Sequence, residues 1–80
     1  MTKENLVSLA SLEKNQHAVM VSITAGHKAA KRLADLGFTP NTPIKVLRKA
    51  LFRGPIEIKL RGSNLILGKE IAAKILVKKV

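Results

Sequence analysis

The chain has 80 residues, 46 % of them hydrophobic, which bounds it to a single domain over residues 1–80 with a small core and excludes disorder. Cysteine is absent, so a disulfide framework and thiolate metal ligands are excluded, and a reducing compartment fits. Fifteen Lys and Arg against five Asp and Glu give a formal charge of +10, a field that favours an anionic partner (nucleic acid, anionic lipid or an acidic protein face) and equally suits a plain solvated surface.

The opening MTKENLVSLASLEK has no apolar run ending in a small-residue cleavage site, and no window approaches the ~20 apolar residues of a membrane span. The expectation is a cytoplasmic protein. Leu6, Leu9 and Leu12 lack a long period, which predicts a short helix or turn with Leu9 and Leu12 packing down. HAVMVSI, from His17 to Ile23, alternates with a period of two and predicts a strand. One face carries Val19, Val21 and Ile23, the other Ala18, Met20 and Ser22.

From His27 to Leu36 the period becomes helical, with Leu33 and Leu36 recurring and Lys28, Lys31, Arg32 and Asp35 facing water. Gly37 is the helix stop. The stretch after it, FTPNTP, admits two readings. A helix starting at Thr39 would make a DNA-reading helix-turn-helix. Pro43 argues against it, because it pushes Thr42 out of the α region. Thr39-Pro40-Asn41-Thr42 therefore predicts a tight turn, Asn41 taking the positive φ of a type II turn. Leu33, Leu36 and Phe38 are then expected to pack the helix onto the strands.

A strand is predicted from about Pro43 to Ala50. LFRGP is a loop tip, and in PIEIKLRG Ile56, Ile58 and Leu60 alternate with Glu57, Lys59 and Arg61. RGSN is a turn signal, Leu65 to Leu67 a short strand, GKEIAAK a single helical turn and ILVKKV a last strand. The sum is mainly β with one α-helix: about five short strands in a small SH3-like, partly open β-barrel. The sequence shows no internal repeat.

Catalysis has little to stand on. Two histidines, no cysteine and no two neighbouring carboxylates leave Ser22, His27 and Asp35 as the nearest thing to a triad, and nothing in their spacing joins them. Gly68-Lys69 fails as a phosphate loop, because position 63 is Ser rather than Gly and position 70 is Glu rather than Ser or Thr. His17 and His27 flank the first strand without a local ligand cluster, so the expectation is no cofactor and no dedicated metal site, with at most a weak, opportunistic transition-metal contact at the surface. Readers of single strands and RNA stack bases on aromatic rings. This chain has only Phe38 and Phe52, which leaves nucleic-acid binding to charge alone.

Taken together, the blocks Leu33-x-x-Leu36-Gly37-Phe38-Thr39-Pro40, Ile44-x-Val46, Gly54-Pro55-Ile56-Glu57-Ile58, Gly62, Leu65-x-Leu67, Glu70, Ala72 and Ile75-x-Val77 closely resemble the ferrous iron transport protein A (FeoA) family, and SLASLEKNQHAVMVSI is similar to that family's opening. The resemblance covers about residues 9–77. Departures are Lys14-Asn15 and Pro40-Asn41 where the family usually has Pro-Gly, Gly68 where a basic residue is frequent, and Ile71 where a polar one is common. The resemblance implies a cytoplasmic SH3-like protein of bacterial Fe(II) uptake that acts with FeoB, the membrane transporter carrying a GTP-hydrolysing domain. It also implies a likeness to the C-terminal domain of iron- or manganese-dependent repressors. The expected partner-binding residues are Phe52 and Arg53 on a loop tip, with Lys59 and Arg61 on the polar face of the third predicted strand. Arg53 is in addition a candidate for acting in trans on a GTPase. The alternatives are a basic nucleic-acid-binding module and a metal-responsive regulator.

Overall fold

The computed structural model describes residues 6–51 and 54–80. In chain order the elements are β1 (Leu6–Ser8), a 3-10 turn (Leu9–Ser11), β2 (His17–Ile23), α1 (His27–Asp35), β3 (Pro43–Lys49), β4 (Ile56–Leu60), β5 (Ser63–Leu67), α2 (Lys69–Ala73) and β6 (Ile75–Lys79). The strands form one antiparallel sheet in the order β1-β6-β2-β3-β4-β5, an open ladder with β1 and β5 at its edges. The architecture is the mainly-β one expected from the sequence, with six strands in place of five. The extra strand is β1. Three residues are too few to show a period, and they become a strand by pairing Val7 with Val77 of β6.

Two tight turns define the centre of the sheet. In Glu13–Gln16, Asn15 has φ 69° and the Gln16 amide donates to the Glu13 carbonyl at 3.1 Å. In Thr39–Thr42, Asn41 has φ 71° and the Thr42 amide donates to the Thr39 carbonyl at 3.2 Å. The positive φ at the third position is the one the sequence predicted, and Asn tolerates it better than most residues. Each turn is then stitched to the opposite strand: Asn15 N–H donates to Val46 O at 2.8 Å, and Asn41 N–H donates to Met20 O at 2.8 Å.

The two halves are images of one another. β2 and β3 pair so that partners sum to the same number, His17 with Lys45, Ala18 with Ile44 and Val19 with Pro43. Both strands have seven residues and the same succession of exposed and buried positions. Both carry an irregularity at the corresponding place, between Met20 and Ser22 in β2 and between Val46 and Arg48 in β3. Outside them β6 and β1 repeat the positions of β4 and β5. A pseudo-two-fold axis thus runs through the β2–β3 pair, invisible in the sequence.

The core is filled from the inner face of the sheet, with Ala18, Met20, Ile44, Val46, Ile56, Ile58, Leu60, Ile75 and Val77 all buried. On β2 the inward face is the one with the smaller residues, Ala18 and Met20; Val19 and Val21 are half-buried on the outer side. Past the bulge Ile23 returns to pack against the core. Leu9 and Leu12 are fully buried at the ends of the 3-10 turn, as expected. Lys49 reaches over from the end of β3 to donate to Ala10 O at 3.1 Å, tying this turn to the sheet.

Helix α1 ends in a Schellman motif. Gly37 at φ 111° lets its amide donate to Ala34 O at 2.9 Å and the Phe38 amide donate to Leu33 O at 3.1 Å. Leu33 and Phe38 are both core residues, but Leu36 is 51 % exposed, against the expectation that it packs with them. The reversal at Gly37 is the reason: it folds Phe38 back towards Leu33, and that pair covers the contact the helical period had assigned to Leu36.

Candidate functional site

Chemistry-bearing side chains gather on the outer face of β2, β3 and β4. The registers place His17 opposite Lys45 and Lys45 opposite Lys59, giving a row of potential cations across three strands. Directly opposed residues have Cβ atoms ~5 Å apart, and like charges there destabilise the pair. Lys45 is half-buried; His17 and Lys59 are exposed. Pro43, Ile44, Arg61 and Gly62 complete a shallow groove of about 270 Å3 around them.

Arg61 is not on the polar face of its strand. β4 ends at Leu60, and Leu60 pairs with Ser63 across a two-residue hairpin. Arg61 and Gly62 are its central residues, with φ 51° and 81°, both left-handed as a type I′ turn demands. Arginine takes that conformation at a cost that Gly or Asn largely escapes. The guanidinium is turned onto the end of α1: Nε donates to Gly37 O at 3.4 Å, and Nη2 donates to Thr39 Oγ1 at 3.2 Å and Thr42 Oγ1 at 3.5 Å. Thr42 is buried, and its hydroxyl also meets that of Thr39 at 2.9 Å.

Lys59 stands on the outer face of β4 as expected, with Asn64 of β5 opposite it. Phe52 and Arg53 lie outside the described residues. The nearby carboxylate, Glu57, is engaged: it accepts from Arg48 Nε at 3.2 Å and from Asn64 Nδ2 at 3.5 Å. No carboxylate lines the groove. Sequence alternation identified Lys59 but missed His17 and Lys45 as its neighbours, because they come together only through the β2–β3–β4 register.

The weakest sequence candidates are dispersed. His27 and Asp35 open and close α1, which puts them ~12 Å apart along its axis, and Asp35 is paired with Lys31 at 3.8 Å. Gly68 caps α2 and Gly62 makes the hairpin, each a local backbone role. Among the described residues no three His, Cys, Asp or Glu side chains form a group able to hold a metal ion. No helix among them is long and apolar enough to cross a membrane.

Residues 7–79 match the FeoA domain family. The chain belongs to the FeoA family. It is 33 % identical over 70 residues to "Putative Fe(2+) transport protein A" of Methanocaldococcus jannaschii, covering 88 % of this chain and 83 % of that protein. A crystal structure of an iron uptake regulatory protein, FeoA, superposes with a TM-score of 0.83 at 32 % identity, over 94 % of this chain and 97 % of the other. A manganese-dependent transcriptional repressor shares the fold at 18 % identity, with a TM-score of 0.87 over the whole of this chain and 45 % of the repressor. The FeoA family is one of ferrous iron transport, and its fold is the SH3-like one inferred from the strand pattern, here with an open sheet.

Proposed function

We propose that this FeoA-family chain is a cytoplasmic accessory or regulatory protein of ferrous iron uptake that works by binding a FeoB-type membrane transporter at its cytosolic, GTP-hydrolysing side. Family membership carries the reading. The scattered catalytic candidates and the cationic outer face support an interaction module over an enzyme. Phe52, Arg53, Lys59 and Arg61 are the proposed contact residues. Of those described, Lys59 and Arg61 are both exposed, and Arg61 contributes while its guanidinium holds the hairpin to the helix end. A basic face of this kind also suits the anionic inner surface of a membrane, next to which such a transporter works.

Iron is cargo in this reading. Direct Fe(II) sensing has less support, because the described residues offer no ligand group. Calorimetry and pull-down with the transporter's cytosolic domain test the reading. Stoichiometric binding that persists at physiological ionic strength, where exposed charges beyond ~8 Å are screened, is the expected result. Absence of binding at moderate salt removes the main support.

A further inference from the structure

The Lys45–Lys59 pair is an oddity of the sheet. Like charges stand directly opposite each other on adjacent strands, with His17 next in the row and no carboxylate in the groove they line. The pseudo-two-fold supplies an internal comparison. The image of the row His17–Lys45–Lys59 is Pro43–Val19–Lys78, formed by the pairs Val19 with Pro43 and Val19 with Lys78. The same backbone position thus holds one lysine on one side of the molecule and two lysines with a histidine on the other. The frame does not require the second cation, and Val19 shows that an apolar residue serves there.

We propose that the groove across β2, β3 and β4 is a phosphate-binding site, taking a phosphoryl or diphosphoryl group between Lys45 and Lys59, with His17 next in the row. Neighbouring strands lie about 4.8 Å apart, so three in succession set the donors along a line of about 10 Å. That reach matches one or two phosphoryl groups, whose several oxygens accept from successive ammonium donors acting as point charges. A lone carboxylate would be served by one arginine fork and needs no such row. Arg61 borders the groove, while its Nε and Nη2 are bound to Gly37, Thr39 and Thr42, so the binding donors are Lys45 and Lys59.

The site shares Lys59 with the proposed transporter contact but does not rest on that reading, and its test needs no transporter. The full chain is titrated with pyrophosphate by calorimetry and by thermal shift against potassium chloride of matched ionic strength, and in parallel with phosphatidylglycerol and phosphatidylcholine vesicles. Three proteins are compared: the unaltered chain, Lys45→Gln with Lys59→Gln, and a control of equal charge, Lys28→Gln with Lys74→Gln, on α1 and at the Thr24 end of β2. Saturable binding is expected in the unaltered chain, weakened about tenfold or more by the groove pair and less than about threefold by the control. The groove pair should be at least as heat-stable as the unaltered chain without ligand, since the opposed charges are gone, and should lose the stabilisation by pyrophosphate. Binding of pyrophosphate without vesicle retention identifies a soluble phosphate compound. Retention on phosphatidylglycerol alone, with the same variant dependence, identifies a lipid headgroup. No saturable binding of either at matched ionic strength, or an equal loss in the control, overturns the proposal.

Discussion

Arg61 joins two opposing effects, and a pair of substitutions separates them. Its φ of 51° costs a non-glycine residue about 1–2 kcal/mol. Against this stand three donated hydrogen bonds of 3.2 to 3.5 Å. They lie at or beyond the usual outer limit for N–H···O, from an exposed side chain, so together they contribute about 0.5–1 kcal/mol. Losing them strands no buried group, because Thr42 keeps the Thr39 hydroxyl at 2.9 Å. Arg61→Ala keeps the backbone cost and loses the hydrogen bonds, and should destabilise by about 0.5–1 kcal/mol. Arg61→Gly loses the same bonds but escapes the left-handed penalty, so the two variants should differ by about 1 kcal/mol in favour of glycine. For a domain of this size that is a gap of about 4–8 °C in Tm. Thermal and urea unfolding followed by circular dichroism read it directly. If the alanine and glycine variants unfold together within about 1 °C, the hairpin is not strained at Arg61 and the turn assignment fails. If the alanine variant matches the unaltered chain, the ties to Gly37, Thr39 and Thr42 contribute nothing.

The packing and the turns give three further expected outcomes. Leu33→Ala should cost about 2–4 kcal/mol in urea unfolding, as for a buried leucine, while Leu36→Ala should stay within about 0.5 kcal/mol, because that side chain is half in water. Asn15→Ala and Asn41→Ala should each cost about 1 kcal/mol from their φ of 69° and 71°, and Asn→Gly at either site should recover it; the two losses should add within about 0.5 kcal/mol, since they act at opposite ends of the β2–β3 ladder. Lys49→Met should lower Tm by a few degrees through loss of the bond to Ala10 O at 3.1 Å, worth about 1 kcal/mol, and native-state hydrogen exchange should show the loosening around Leu9–Ser11 first.

What could be read from the sequence was whatever local chemistry decides. Pro43 and Asn41 fixed the turn after α1, because a proline restricts its predecessor and a positive φ needs a tolerant residue. Gly37 fixed the helix end. The alternation of Ile56, Ile58 and Leu60 fixed the inner face of β4. What could not be read depends on pairing at long range. β1 exists through its register with β6. Leu36 is exposed because Phe38 takes its place, which the helical period cannot express. Arg61 looked like one more residue of the alternation, since Arg-Gly is a weaker hairpin signal than Asn-Gly. The cationic row needed two registers at once, and neither His17 nor Lys45 has a neighbour in sequence that marks it.

The pseudo-two-fold explains why the fold alone says little about the site. Glu13–Ile23 and Thr39–Lys49 share a backbone path, two asparagine-bearing turns and a bulge, yet their only identical residue is the turn asparagine. Such a frame requires a period of two and one residue tolerant of positive φ, and little else. Positions that obey the symmetry are therefore explained by the frame. Those that break it call for another cause: α1 on one side of the axis and the short connection before β4 on the other, the arginine-bearing hairpin after β4, and Lys45 where the image is Val19. Arg61 connects two of these differences, since it donates to Gly37 O at the end of α1 and also lines the cationic groove. A partner or ligand that reads this surface distinguishes the two halves of an otherwise repeated sheet, and substitutions at the image positions Val19 and Lys78 should leave its binding far less affected than those at Lys45 and Lys59.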